Sequence, residues 1–375
     1  MITGVKVRLE PNNEQESKLW QSSGTSRFAY NWTLGRQSEN YANGGKFIGE
    51  MELRKEFTQL KNTDEYRWLY NYSNNITKQA IKDACNAYIR FFKGNADKPK
   101  FKSRRKSKPK FYQDTEKIKF TETHVRVEKV GWVKLSEYGR IPQNGKYTNP
   151  RISHDGVNWY VSVGIEIKIE PIELTGESIG IDLGLKDLAV ISTKDNPYKN
   201  INKSKRVKKL EKKKRRLQRK VSKKYIENKK GESYVKTKNI IKLEKDIRKL
   251  HKRLDNIRTD YRHKITTEIV KTKPSQIVME SLNVSGMVKN RHLSKAIANQ
   301  GFYEFKKMIE YKCEKYGIKF VEADTWYPSS KTCSKCGHIK QKLSLSERIY
   351  VCEDCGYEID RDKNASINLS RYEAS

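Results

Sequence analysis

Residues 3–9, TGVKVRL, alternate apolar and polar side chains at the period of a half-buried strand, and Pro11 closes the run. From Asn13 to about Phe92 the period lengthens. Ile76, Ala80, Ala84, Tyr88 and Phe92 recur every four residues, which predicts one face of a helix. Period two returns over 117–169. There Val125 and Val127 alternate with polar neighbours, and Val161, Val163, Ile165 and Ile167 make one buried face. Asp155-Gly156 lies between two such runs and signals a hairpin. The pattern predicts a small antiparallel β-barrel over 111–174, completed by 1–11. A helical segment with its basic linker, 12–110, is inserted into it.

A second architecture begins at 178–192, SIGIDLGLKDLAVIS, where two apolar runs flank a turn and read as a buried hairpin. Ile240, Leu243, Ile247, Leu250, Leu254, Ile257 and Tyr261 then recur at spacings of three and four, the narrow seam of a long helix. Leu210, Leu217 and Val221 predict a shorter helix before it on the same seam, with Gly231 in the turn. QIVME at 276–280, an amphipathic helix over 295–316 and KFVEA at 319–323 give strand, helix, strand. That order implies a parallel crossover and an α/β domain.

Charge narrows the function. Lys plus Arg number 79 against 45 Asp plus Glu over 375 residues, a formal net charge of +34. Self-repulsion of that size calls for a polyanion, with nucleic acid the first candidate and an anionic membrane surface the second. Mean hydropathy is −0.91, and no window nears the ~18 apolar residues of a spanning helix. MITGVKVRLEP lacks the apolar core of a secretory signal. Residues 203–262 hold 26 Lys/Arg against 7 Asp/Glu, a local +19, so the helical hairpin reads as a rail for phosphates, with Lys213, Arg216 and Arg219 as candidate contacts. Residues 94–110, GNADKPKFKSRRKSKPK, are barred by Pro99 and Pro109 from a helix or central strand. Either they are a solvated linker, or Lys100, Lys102, Arg104 and Arg105 meet the nucleic-acid backbone. The aromatics Trp20, Phe28, Tyr30, Trp32, Tyr41, Phe57 and Trp68 read as core, with a few free to stack on bases.

Two clusters carry chemistry. Cys333-Ser-Lys-Cys336 and Cys352-Glu-Asp-Cys355 have the spacing of two zinc knuckles, and Gly337 and Gly356 follow each pair where a knuckle turns tightly. Four thiolates fill a tetrahedral site, so one structural zinc is expected. Cys85 and Cys313 fall on helical faces and read as core. The second cluster is acidic: Asp182 in the first strand of the α/β domain, Glu280 at the end of QIVM, and Asp362 at the start of DKNASINLS. A carboxylate at the end of an apolar strand is costly unless paired or metal-bound. Three from three elements could bind hard cations, and two magnesium ions ~4 Å apart would support phosphodiester hydrolysis. Singly, Asp362 could be a helix cap and Glu280 an ion-pair partner. Asp360 and Asp187 are the alternative acids.

The stretch GIDLGLKDLAV, IVMESLNVSGMVKN, WYPSSKTCSKCG and CGYEIDRDKNASINL resembles the RuvC-type nuclease domain of TnpB proteins, transposon-encoded relatives of type V CRISPR effectors. LEPNNEQESKLW, SRFAYNW and KPKFKSRRK extend the resemblance over nearly the whole chain. It implies an RNase H-like (RuvC) domain over 175–328 and 358–375 with an inserted zinc ribbon at 329–357. It also implies a wedge-like barrel interrupted by a helical recognition segment. Asp182, Glu280 and Asp362 become the catalytic, magnesium-holding acids. A noncoding guide RNA from the transposon end would direct cleavage of double-stranded DNA beside a short flanking motif, in a prokaryotic cytoplasm and on the nucleoid. No membrane or small-molecule substrate is implied. Competing readings are an RNA-guided repressor that does not cut, a transposase that joins ends, and a zinc-ribbon transcription factor, which leaves the acids unexplained.

Overall fold

The computed structural model describes all residues except 168, 170, 171, 345, 374 and 375. The chain divides into two compact units, Met1–Lys168 and Ile169–Ser375.

The first unit opens with β1 (Ile2–Glu10). Helix α1 (Asn13–Ala42) starts at a capping box, in which the Gln15 N–H donates to Asn12 Oδ1 at 2.8 Å and the Asn12 N–H donates to Gln15 Oε1 at 3.1 Å. Then come α2 (Glu50–Lys61) and α3 (Asn74–Phe92), joined by a 3₁₀ turn over Asp64–Asn71. Ile76, Ala80, Ala84 and Tyr88 are buried as their spacing predicts. Phe92, the last residue of α3, is half exposed because the helix ends as it reaches the edge of that core. Of the aromatics, Tyr30 and Phe57 are buried, Phe28 and Trp32 pack beside them, and Trp20, Tyr41 and Trp68 stay accessible.

The strands are β2 (Lys110–Tyr112), β3 (Lys119–Phe120), β4 (His124–Val127), β5 (Gly131–Leu135), β6 (Tyr147–His154) and β7 (Trp159–Glu166). They join β1 in one antiparallel sheet, ordered β2-β6-β7-β1-β5-β4-β3. The hairpin at Asp155-Gly156 joins β6 to β7, with Gly156 at φ +90°. All seven strands feed one core, from Phe111 through Trp159 and Val7 to Phe120, so the sheet curls around it. Among the described residues no ladder joins the outer strands β2 and β3, so what is formed is a curled open sheet.

The second unit is α/β. Strands β8 (Ser178–Leu183), β9 (Asp187–Ile191) and β10 (Tyr198–Lys199) lead into the helical hairpin α4 (Lys205–Glu227) and α5 (Lys238–Lys271). A two-residue ladder between β11 (Lys229–Lys230) and β12 (Ser233–Tyr234) closes the hairpin, and Gly231 takes φ +56°. Next come β13 (Gln276–Glu280), α6 (Val284–Val288), α7 (Ser294–Gln300), α8 (Phe302–Tyr316) and β14 (Lys319–Ala323). The single helix expected over 295–316 is two helices. Gly301, at φ +67°, breaks it, and an added Cβ there would stand 2.6 Å from Arg262 Nη1. The chain ends with β15 (Ile349–Val351), β16 (Glu358–Asp360) and α9 (Arg361–Ser370).

The main sheet is ordered β10-β9-β8-β13-β14, and β13 runs parallel to both β8 and β14. One face, with Ile179, Ile181, Ile277 and Met279, packs against Ile265 and Ile269 of α5 and Phe305 and Ile309 of α8. The other, with Val278 and Val321, receives Leu369 of α9. Cys85 and Cys313 are buried in apolar clusters. No helix among the described residues is long and apolar enough to cross a membrane.

Candidate active site, metal centre and nucleic-acid surfaces

Strand alternation builds the acidic site. Ile179 and Ile181 point into the core under α5 and α8, so Gly180 and Asp182 face α9. In β13, Ile277 and Met279 take the core side, which turns Val278 and Glu280 to the α9 side. The register pairs Met279 with Ile181, so Asp182 and Glu280 stand together at the carboxyl ends of two parallel strands. Helix α9 lies hard against this face: a Cβ on Gly180 would come 2.0 Å from the Ser366 carbonyl oxygen. Its start is fixed twice. Asp360 Oδ1 accepts the N–H groups of Asp362 and Lys363, at 3.0 and 3.1 Å. Lys363 Nζ donates to the carbonyls of Ile191, Ser192 and Lys194 at 3.1, 2.9 and 2.8 Å. Asp362, in the first turn of α9, is thereby held within electrostatic reach of the other two acids.

The electrostatics show the strain of this arrangement. Burial first, then the charges of Glu280 and Asp362, push Asp182 well above the ordinary carboxylate range, and Arg361 pulls it down. Burial also raises Glu280, against its hydrogen bond with Asp182, and the charge of Asp362 adds to the rise. Three carboxylates therefore face one another with Arg361 as the nearby cation, its Nε 3.4 Å from Asp362 Oδ1. Hard oxygen donors short of positive charge fit a divalent cation. Arg361 was not singled out from the sequence, although DRDKNA places a cation between the two acids. The alternative acids have other partners. Asp187 pairs with Lys199 at 3.4 Å, and Asp360 is the cap of α9.

The four cysteines converge. Their sulfurs all lie within 4.8 Å of one another, with Cys333–Cys355 at 3.7 Å and Cys336–Cys352 at 3.6 Å. A disulfide would need ~2.05 Å. A tetrahedron with Zn–S bonds of ~2.3 Å has edges of about 3.8 Å, so the spacing fits zinc. Among the described residues this is the one set of three or more His, Cys, Asp or Glu side chains gathered so tightly. Gly337 and Gly356 take φ +82° and +67° in the knuckles. The Cys355 N–H holds the Cys352 thiol down to about 6 despite burial, with help from the Asp354 N–H. The ribbon is tied to α9 by Asn364, which accepts the Ser334 N–H at 2.9 Å and donates to the Thr332 carbonyl at 2.7 Å.

The basic residues divide by surface. Lys100, Arg104 and Arg105 are exposed. Lys102 is half-buried, its backbone held by Asn31 through two 2.8 Å hydrogen bonds and its Nζ 3.1 Å from the Tyr30 ring centroid. Burial first, then the charge of Lys110, pushes its ammonium down to about 8. It lines a cavity of about 270 Å³ with Arg27, Lys108, Lys110, Arg151 and Asp83. In the second unit a groove of about 480 Å³ runs along α4 past Lys208, Lys212, Arg215, Arg216 and Arg219, with Arg258 from α5. Those α4 residues share one helical face. Lys213, about 100° round the helix from Lys212, is exposed outside the groove.

Three family models match the chain. Residues 160–291 match one described as "Probable transposase", 302–369 one described as "Cas12f1-like, TNB domain", and 1–46 one described as "Helix-turn-helix domain". Here the last stretch is one strand and one long helix. A Streptomyces pristinaespiralis protein named "Putative RNA-guided DNA endonuclease" is 30% identical over 369 residues, 97% of this chain and 87% of that one. An Escherichia coli K12 protein with the same name, InsQ, is 29% identical, covering 98% and 91%. The "CRISPR-associated endodeoxyribonuclease Cas12f1" of Sulfoacidibacillus thermotolerans is 32% identical over 130 residues, 34% of this chain and 30% of that protein.

Proposed function

Because the chain belongs to the TnpB family, we propose that it is an RNA-guided DNA endonuclease encoded by an insertion sequence. It takes a noncoding guide RNA from the transposon end and hydrolyses double-stranded DNA beside a short flanking motif. The observation that carries the reading is the meeting of Asp182, Glu280 and Asp362 on the face of the sheet that packs against α9. In this reading the five-stranded sheet with α9 is an RNase H-like domain, 175–328 and 358–375. The four cysteines hold a structural zinc in a ribbon at 329–357. Residues 1–11 and 111–174, the curled seven-stranded sheet, take the place of the wedge-like barrel, interrupted by the recognition segment 12–110. The protein works in a prokaryotic cytoplasm.

The three acids would hold magnesium, which when bound supplies Lewis acidity at the scissile phosphate and lowers the pKa of coordinated water. The chain's own residues do the rest. Partial burial of Asp182 and Glu280 limits their contact with bulk water and strengthens the charge interactions at the site. Asp360 and Lys363 fix the first turn of α9 and so aim Asp362. Arg361 restrains Asp362 and offers a cation to the phosphate. In the hydrolysis a water oxygen bonds to phosphorus as it gives up a proton to solvent, the bond to the leaving oxygen breaks, and that oxygen takes a proton from solvent to leave as a hydroxyl.

The test begins with the full chain expressed from its own locus. Sequencing of copurifying RNA should yield one discrete species. That complex, given magnesium, should cut a plasmid matching its guide and spare a mismatched one. Heterogeneous RNA together with unguided or absent cutting would overturn the proposal.

A further inference from the structure

Among the described residues the most exposed large apolar side chain is Trp326, 89% accessible, in the turn after β14. An indole left in water is costly, and its amphipathic ring is suited to a partner. The turn that carries it is well fixed. The Tyr327 N–H donates to the Asp324 carbonyl at 3.1 Å, and the Trp326 N–H to Asp324 Oδ1 at 2.7 Å. The Asp324 N–H donates to the Tyr372 hydroxyl at 3.2 Å, and the Tyr327 hydroxyl to the Asn368 carbonyl at 3.1 Å. The rings of Tyr327 and Tyr372 meet edge to face at 4.8 Å. Asp324 and Tyr327, on either side of this turn, are thus tied down, and the indole extends from it into solvent.

Its position follows from the ladder. Ala323, the last residue of β14, pairs with Glu280. Adjacent strands lie ~4.8 Å apart, and three residues reach at most ~11 Å. The Trp326 backbone is therefore within about 16 Å of the Glu280 backbone, no more than about five nucleotides at the ~3.4 Å rise of a stacked strand. We propose that Trp326 is a base-stacking subsite beside the acidic centre. An unpaired nucleobase of the DNA strand entering that centre lies on the indole and sets which phosphate reaches the acids. The inference rests on the nuclease reading for its substrate, but its binding arm does not need cleavage.

The experiment compares wild type, Trp326→Ala and Trp326→Phe as full chains with their copurifying RNA. The probe is single-stranded DNA carrying one 2-aminopurine, titrated across a salt series. A stacked base is worth ~1–3 kcal/mol, so Trp326→Ala should bind roughly tenfold more weakly, and Trp326→Phe should recover most of the loss. Because an indole neutralises no phosphate, the plots of log affinity against log salt should be parallel and offset. The 2-aminopurine emission should be quenched by wild type and Trp326→Phe and not by Trp326→Ala. Melting temperatures should agree, since the side chain packs on little. Equal affinities and equal emission for all three would overturn the proposal, including the case in which Trp326 serves a protein partner instead. Absence of guided cleavage in every variant, with the binding offset intact, would remove the nuclease reading and leave the stacking subsite.

Discussion

Asn364 couples the ribbon to the helix that carries Asp362, and Asn364→Ala measures that coupling. Its side chain is fully buried, accepting from the Ser334 N–H and donating to the Thr332 carbonyl. Truncation orphans the Ser334 N–H, at a cost of ~1–3 kcal/mol. The second loss is smaller, ~0.5–1.5 kcal/mol, because the Thr332 carbonyl still accepts from Asn368 Nδ2 at 2.6 Å. The sum is about 2–4 kcal/mol. A unit of about 200 residues loses ~2–4 °C in Tm per kcal/mol, so the second unit should melt about 5–15 °C lower. Thermal unfolding by circular dichroism, with bound zinc counted on the same samples, reads this directly. Removing zinc with a chelator should unfold the ribbon and abolish both bonds in wild type as well, so chelated wild type and chelated variant should melt together. A variant within about 2 °C of wild type, or a difference that survives chelation unchanged, would refute the coupling.

Three further outcomes are expected. Lys102 titrates near 8 in the fold because burial disfavours its charge, against ~10.4 in an unfolded chain. Below pH 8 both states carry the proton and the penalty is full. Between about 8 and 10.4 the unfolded chain binds more protons, so stability rises with pH, and denaturant titrations at pH 7.5 and 9.5 should show Lys102→Gln gaining less over that interval than wild type. Replacing Lys100, Lys102, Arg104 and Arg105 together with Gln should weaken binding about evenly across RNA sequences and flatten the slope of log affinity against log salt, and parallel lines without offset would show that these residues meet no phosphate. Gly301→Ala should destabilise by about 1–3 kcal/mol, since a left-handed backbone and a Cβ 2.6 Å from Arg262 Nη1 both oppose it; an unchanged unfolding midpoint would show that the break relaxes freely.

Legibility followed the range of the interaction. The four cysteines, the Asp155-Gly156 hairpin and the α4–α5 seam are set by local spacing, and each was readable from the residues. That Asp182, Glu280 and Asp362 share a face was half readable. Alternation in SIGID and QIVME fixes which residues turn the same way, but only the parallel register and the close approach of α9 at Gly180 bring them together. The break at Gly301 does not show in the periodicity, which continues across it; the left-handed glycine ends α7, and Arg262 caps the Gln300 carbonyl freed there. The antiparallel strands of the first unit were legible from period two, whereas the expected closure into a barrel turns on the edge strands β2 and β3, too short to carry a pattern. Lys102 shows the same limit: a run of cations reads as one exposed surface, and only Asn31 and Tyr30, some 70 residues earlier, draw this one inward.

The central claim is that Asp182 acts in DNA hydrolysis and not in holding the guide. The measurement is the rate at which the RNA-loaded protein cuts a matched plasmid in magnesium, for wild type and Asp182→Asn, with guide-RNA affinity measured on both. The account predicts a loss of about a thousandfold or more in cutting, the several kcal/mol that metal-assisted charge stabilisation supplies, and RNA affinity within about twofold. Cutting by Asp182→Asn at the wild-type rate would contradict it.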